Sequence, residues 1–144
     1  MKRLTFATLI LMLVPIACTP IPETITINVY FQDAGMYAVG TEPYERVVTR
    51  TIPATDDLPL ALMEQLFLGP TSEEQATGLA LVLSGATGFS DFYVNSGVAH
   101  ITLTGRCDSG GSTYTIANLI FANLAQFPEI HWIKIYDESG ETEA

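Results

Sequence analysis

Positive charge is scarce in this chain: six Lys and Arg stand against sixteen Asp and Glu, giving a formal net charge of −10. A surface so acidic repels nucleic acid and anionic lipid alike, which excludes DNA or RNA as a partner. The only histidines, His100 and His131, are too few and too far apart for a recognisable metal-ligand pattern. Asp137, Glu138, Glu141 and Glu143 do not have the spacing of a calcium loop and read as a solvated tail. No metal site and no cofactor is therefore expected. The only cysteines, Cys18 and Cys107, cannot build a disulfide framework. Internal repeats are absent, and the length suits one domain with a real core.

An apolar run long enough to span a bilayer, about 20 residues, is also missing. The run at 4–14 is shorter, follows Lys2 and Arg3, and leads into PIAC at 15–18. A basic start, a short apolar stretch and small residues mark an export signal. The segment resembles a bacterial lipoprotein signal, with Cys18 as the lipidated residue, although Pro15 departs from the usual aliphatic position. An ordinary secretory peptide cut near Ala17 and an uncleaved anchor are the alternatives. The expected organisation is a signal at 1–17, a tether at 18–23, a domain at 24–138 and a polar tail at 139–144. Cutting before Cys18 removes Lys2 and Arg3 and no acid, taking the charge from −10 to −12. Arg46, Arg50, Arg106 and Lys134 are then the remaining basic side chains. If Cys18 carries lipid, Cys107 is a buried thiol, an intermolecular partner, or half of a pair completed beyond residue 144.

The stretch at 109–137 organises what is there. Ile116, Ile120 and Leu124 recur at helical spacing, with Ala117, Phe121 and Phe127 beside them, and Thr115, Asn118 and Gln126 opposite. Ser112 is the expected N-cap, and Pro128 ends the helix near Phe127. Residues 131–137 then alternate, with Ile133 and Ile135 on one face and Trp132, Lys134 and Tyr136 on the other. A one-sided helix followed by a strand requires a sheet to lie on.

The upstream chain supplies it. Residues 24–32 alternate, with Ile25, Ile27, Val29 and Phe31 facing one way and Tyr30 the other. Residues 44–52 are β-branched but carry Glu45, Arg46 and Arg50, the mark of an edge strand. Asp56 or Asp57 opens a helix striped by Leu58, Leu62 and Leu66 and stopped by Gly69-Pro70. Thr71-Ser-Glu-Glu74 matches a capping box. Residues 79–83 are apolar and of undecided state. Two strands flanking Asn95-Ser-Gly97 read as a hairpin, with His100 on its solvent face. The expected fold is α+β: a two-layer sandwich with a small mixed sheet and two main helices on one face.

Several of these segments together resemble the GerMN domain of sporulation and spore germination proteins. They are VYF at 29–31 with the segment 46–53, LFLGPTSEE at 66–74 followed by Gly78-Leu79, SGVAHITL at 96–103, AQFP at 125–128 and IKI at 133–135. CDSGG at 107–111 departs from the plainer insert of many members. The resemblance implies a fold similar to ring-building domains of cell-envelope assemblies. It also implies a non-catalytic binding or assembly module on an extracytoplasmic, membrane-anchored lipoprotein. No catalytic residue is established for the family, so none carries over.

From the residues themselves, Cys107 with His100 is the one pair that invites chemistry, a small exported thiol enzyme. It lacks a recognisable third orienting group. A two-lobed solute-binding protein needs a longer chain. Ser109-Gly-Gly-Ser112 before a helix resembles an anion cradle, but Asp108 and the acidic surface favour a plain connector. The candidate interaction surface is Tyr30, Trp132, Lys134 and Tyr136, on the sheet face that the helices leave open. The expected partner is a cell-envelope protein, peptidoglycan, or a second copy of the chain.

Overall fold

The computed structural model describes residues 23–140. The expected export signal, the expected lipidation site at Cys18 and the end of the expected polar tail lie outside the described residues. The elements run β1 (Thr24–Asp33), α1 (Ala34–Ala38), β2 (Glu45–Pro53), α2 (Leu58–Leu68), α3 (Ser72–Ala76), β3 (Leu79–Ala80), β4 (Ala86–Asn95), β5 (Val98–Gly105), α4 (Ile116–Leu124) and β6 (Trp132–Tyr136). No helix among the described residues is long and apolar enough to cross a membrane.

The α+β class holds, and the strands divide between two three-stranded sheets, ordered β2-β1-β3 and β4-β5-β6. The division follows from what stands at the edge of β1. β3 pairs only with Gln32 and Asp33. Beyond it, α4 takes over through side chains. The Tyr30 amide donates to Asn123 Oδ1 at 2.9 Å, and Asn123 Nδ2 donates back to the Tyr30 carbonyl at 2.9 Å. Gln126 Nε2 donates to the Asn28 carbonyl at 3.1 Å. Side-chain amides thus occupy the place of a neighbouring strand, and the edge is covered by a helix.

One hydrophobic core joins both sheets to the helices. It holds Val29 and Phe31 of β1, Leu62, Met63 and Leu66 of α2, Ala99, Ile101 and Leu103 of β5, and Ile116, Leu119, Ile120 and Leu124 of α4. Burying a Leu, Ile, Val or Phe side chain of this kind contributes about 1.5–3 kcal/mol. Ile133 and Ile135 of β6 pack against the same core. Phe121, placed beside the apolar stripe by spacing, instead lies largely exposed.

The helix ends explain the boundaries. Asp57 caps α2, with Oδ1 accepting from the Leu60 amide at 3.0 Å, and the helix stops at Gly69, whose φ of 77° suits a residue without Cβ. Thr71 and Glu74 form the expected capping box at the start of α3. Glu74 Oε2 accepts from the Thr71 amide at 2.7 Å and also from Arg50 Nη2 at 2.7 Å. Arg50 further donates to the carbonyls of Gln65 and Gly69 and lies over the Phe31 ring, 5.0 Å from its centre. Its guanidinium therefore ties β2 to the end of α2 and the start of α3.

The cap of α4 is Thr115, three residues after Ser112. Thr115 Oγ1 accepts from the Ala117 amide at 3.3 Å, and Asn118 Oδ1 accepts from the Thr115 amide at 2.8 Å. Ser112 fails as the cap because its hydroxyl is spent on a local turn, accepting from the Tyr114 amide and donating to the Tyr114 carbonyl. A further correction concerns Asp33. It does more than end a strand: its carboxylate accepts from the Gly35 and Met36 amides and starts α1.

Candidate functional site

The hairpin between β4 and β5 turns through Ser96 and Gly97, with φ of 51° and 78°. Two successive left-handed residues give a turn whose twist matches the strands it joins. Gly97 does more than turn. Its carbonyl accepts from the His131 amide at 2.8 Å and the Trp132 amide at 3.1 Å, and a Cβ there would stand 2.9 Å from His131 Cδ2. This contact docks the start of β6 against the hairpin. β6 then runs parallel to β5, with Val98 opposite Trp132, His100 opposite Lys134 and Thr102 opposite Tyr136. β4 lies antiparallel on the other side, with Tyr93 opposite His100.

Strand alternation sends Ala99, Ile101, Ile133 and Ile135 toward the core, so the opposite face presents Tyr93, Val98, His100, Trp132, Lys134 and Tyr136. Three of these form an ordered array. The His100 ring lies nearly parallel to Tyr93, with centroids 4.6 Å apart and planes 9° apart. It is also nearly parallel to Tyr136 at 5.8 Å, and His100 Nδ1 is 2.9 Å from the Tyr136 hydroxyl. Trp132 stands beside this array with 71% of its surface exposed, and Tyr93 with 48%. Lys134 makes no ion pair among the described residues.

The structure brings together three of the residues singled out from sequence, Trp132, Lys134 and Tyr136. Tyr30 is separated from them, because β1 belongs to the other sheet, where Tyr30 pairs with Val47 and its backbone is held by Asn123. Tyr93 was the residue missed. Alternation in β4 alone places it outward, but a register shift between Phe89 and Asp91 obscures the pattern.

The other candidate chemistry separates in space. The His100 imidazole is engaged by tyrosines on the outward face, whereas Cys107, half-buried after β5, packs against the core. The glycine loop before α4 satisfies itself, with Asp108 Oδ1 accepting from the Gly110 amide at 2.8 Å and Ser109 Oγ from Gly111 at 3.3 Å. These amides are not presented as an anion cradle.

Comparison with known proteins agrees with this architecture. A solved structure of the tandem GerMN domains of the sporulation protein GerM from Bacillus subtilis is similar, with a TM-score of 0.53 and 19% identity. The match covers 82% of this chain and 43% of that one, so this chain spans less than half the length of that relative. Curated proteins returned no match. The family model Germane, described as sporulation and spore germination, matches residues 28–141. The match runs from within β1 to beyond the end of β6, and the chain belongs to the Germane family of sporulation and spore germination domains.

Proposed function

We propose that this domain is a non-catalytic binding and assembly module, held at the extracytoplasmic side of the cell membrane by a lipid on Cys18. The observation that carries the binding role is the exposed face of the β4-β5-β6 sheet, where Trp132 flanks the Tyr93–His100–Tyr136 array. Large aromatic side chains already ordered by stacking lose little conformational freedom when a partner covers them. Trp and Tyr are also the residue types that dominate binding energy in protein interfaces. The partner that this flat surface fits is another folded domain in the envelope, and a domain of the same fold is the first choice. The solved relative carries two such domains in tandem, which favours pairing between domains of this kind.

Sedimentation of the exported chain, with and without Trp132→Ala, tests the surface. Trp132 is mostly exposed, so its loss leaves far-UV circular dichroism and stability close to wild type. Association weakens by about tenfold or more, the effect of losing roughly 1.4 kcal/mol at an interface hot spot. Unchanged association, or unfolding of the variant, removes this face as the docking surface.

A further inference from the structure

A second feature lies away from that sheet face. A cleft of about 740 Å³ is lined by Tyr37, Glu42, Tyr44, Glu45, Tyr114 and Asn118, with Pro43 and Thr113 completing its wall. It is a surface cleft, open to solvent rather than enclosed. The walls come from α1, the loop into β2, the first residue of β2 and the start of α4. They therefore meet only in the folded chain.

Three tyrosines form one cluster. Tyr37 meets Tyr44 edge-to-face at 5.4 Å, Tyr44 meets Tyr114 in the same manner at 6.0 Å, and Tyr37 lies tilted to Tyr114 at 5.5 Å. Tyr114 is buried, and its hydroxyl donates to Glu45 Oε1 at 2.6 Å. Burial, that hydrogen bond and the charge of Glu45 all push the hydroxyl well above its ordinary 10.0, which keeps it a donor. Glu45 is thereby fixed with its carboxylate in the cleft wall.

Counter-charge is missing. Among the described residues, Arg46, Arg50 and Arg106 pair with Asp33, Glu74 and Asp108, and no ion pair reaches Glu42 or Glu45. Two acidic residues, Glu42 and Glu45, therefore line an aromatic cleft that has no Lys, Arg or His among its described lining residues. Anionic ligands are repelled there, whereas a cation is attracted. A protonated amine answers both features, because ammonium groups are drawn to carboxylates and to aromatic rings alike. Asn118 adds a directional donor: its Oδ1 is used in the helix cap, leaving Nδ2 for an acceptor on the ligand. The dipole at the start of α4 opposes a cation. Its first amides are already bonded to Ser84 Oγ and Thr115 Oγ1, which blunts that effect.

We infer that this cleft is a binding site for an organic ammonium ligand, a primary amine carried on a compact body with at least one hydrogen-bond acceptor or second amine. The amine has two possible carriers, a sugar ring or a short flexible chain.

Calorimetric titration of the full exported chain decides between these outcomes. Glucosamine, 1,5-diaminopentane and neutral N-acetylglucosamine are the probes. The expected result is saturable binding of at least one amine, with N-acetylglucosamine about tenfold or more weaker. Preference for glucosamine assigns a sugar carrier, and preference for diaminopentane a chain carrier. Glu45→Gln, which preserves an acceptor for the Tyr114 hydroxyl, and Glu42→Gln each weaken amine binding by about tenfold. Trp132→Ala leaves it unchanged, which separates this site from the docking face. The inference is overturned if neither amine saturates, if N-acetylglucosamine binds as tightly as the amines, or if both Gln variants retain wild-type affinity while remaining folded by circular dichroism.

Discussion

Asn123 of α4 satisfies both polar groups of the Tyr30 backbone in β1, accepting from the amide and donating to the carbonyl at 2.9 Å each. Its Nδ2 also donates to the Leu119 carbonyl at 2.8 Å, and the side chain is completely buried. One residue thus performs the work of a β-bridge across 93 positions of sequence.

Removing it leaves two partly buried backbone groups without partners, each costing about 1–3 kcal/mol. Asn123→Leu, with the same number of side-chain heavy atoms but no hydrogen-bonding group, lowers stability by roughly 3 kcal/mol in urea unfolding. Asn123→Asp is worse at neutral pH, because a buried carboxylate then faces the Tyr30 carbonyl, and part of the loss is recovered near pH 4. A Leu variant as stable as wild type contradicts this role.

Glu74 makes stability depend on acid. Burial pushes its carboxyl up, but the Thr71 amide and the Arg50 guanidinium outweigh burial and leave it below the ordinary 4.5. A lowered folded value means that the stabilisation is complete above 4.5 and is lost as pH falls below it. Glu74→Gln therefore costs about 1–3 kcal/mol at pH 7 and less near pH 3. Equal losses at the two pH values show that the charge is not responsible.

The proposed lipid anchor has a separate test. Cys18→Ala releases the protein from the membrane fraction or leaves an unprocessed precursor. A variant that fractionates and migrates as wild type does rules out lipid at that residue.

What the sequence determined by itself is local. Alternation in β1 and β6 set which side chains face the core, and Val29, Phe31, Ile133 and Ile135 pack there. The Thr71–Glu74 capping box and the Ser96-Gly97 turn were readable because their hydrogen-bonding groups or backbone angles lie within a few residues. Even locally, competition decides: Ser112 and Thr115 are both good caps, and the reciprocal bond with Asn118 selects Thr115. Tertiary structure alone decided how the strands divide. Asn123 and Gln126 cover the edge of β1, so β6 pairs with β5 in a second sheet and Tyr30 is parted from Trp132. The tyrosine cleft is likewise invisible in sequence, since Tyr37, Tyr44 and Tyr114 acquire a common wall only when α1 and the start of α4 meet beside β2. Periodicity and caps act over one or two turns of chain. Which edge is covered, and which distant rings meet, depends on the packing of all the elements around one core.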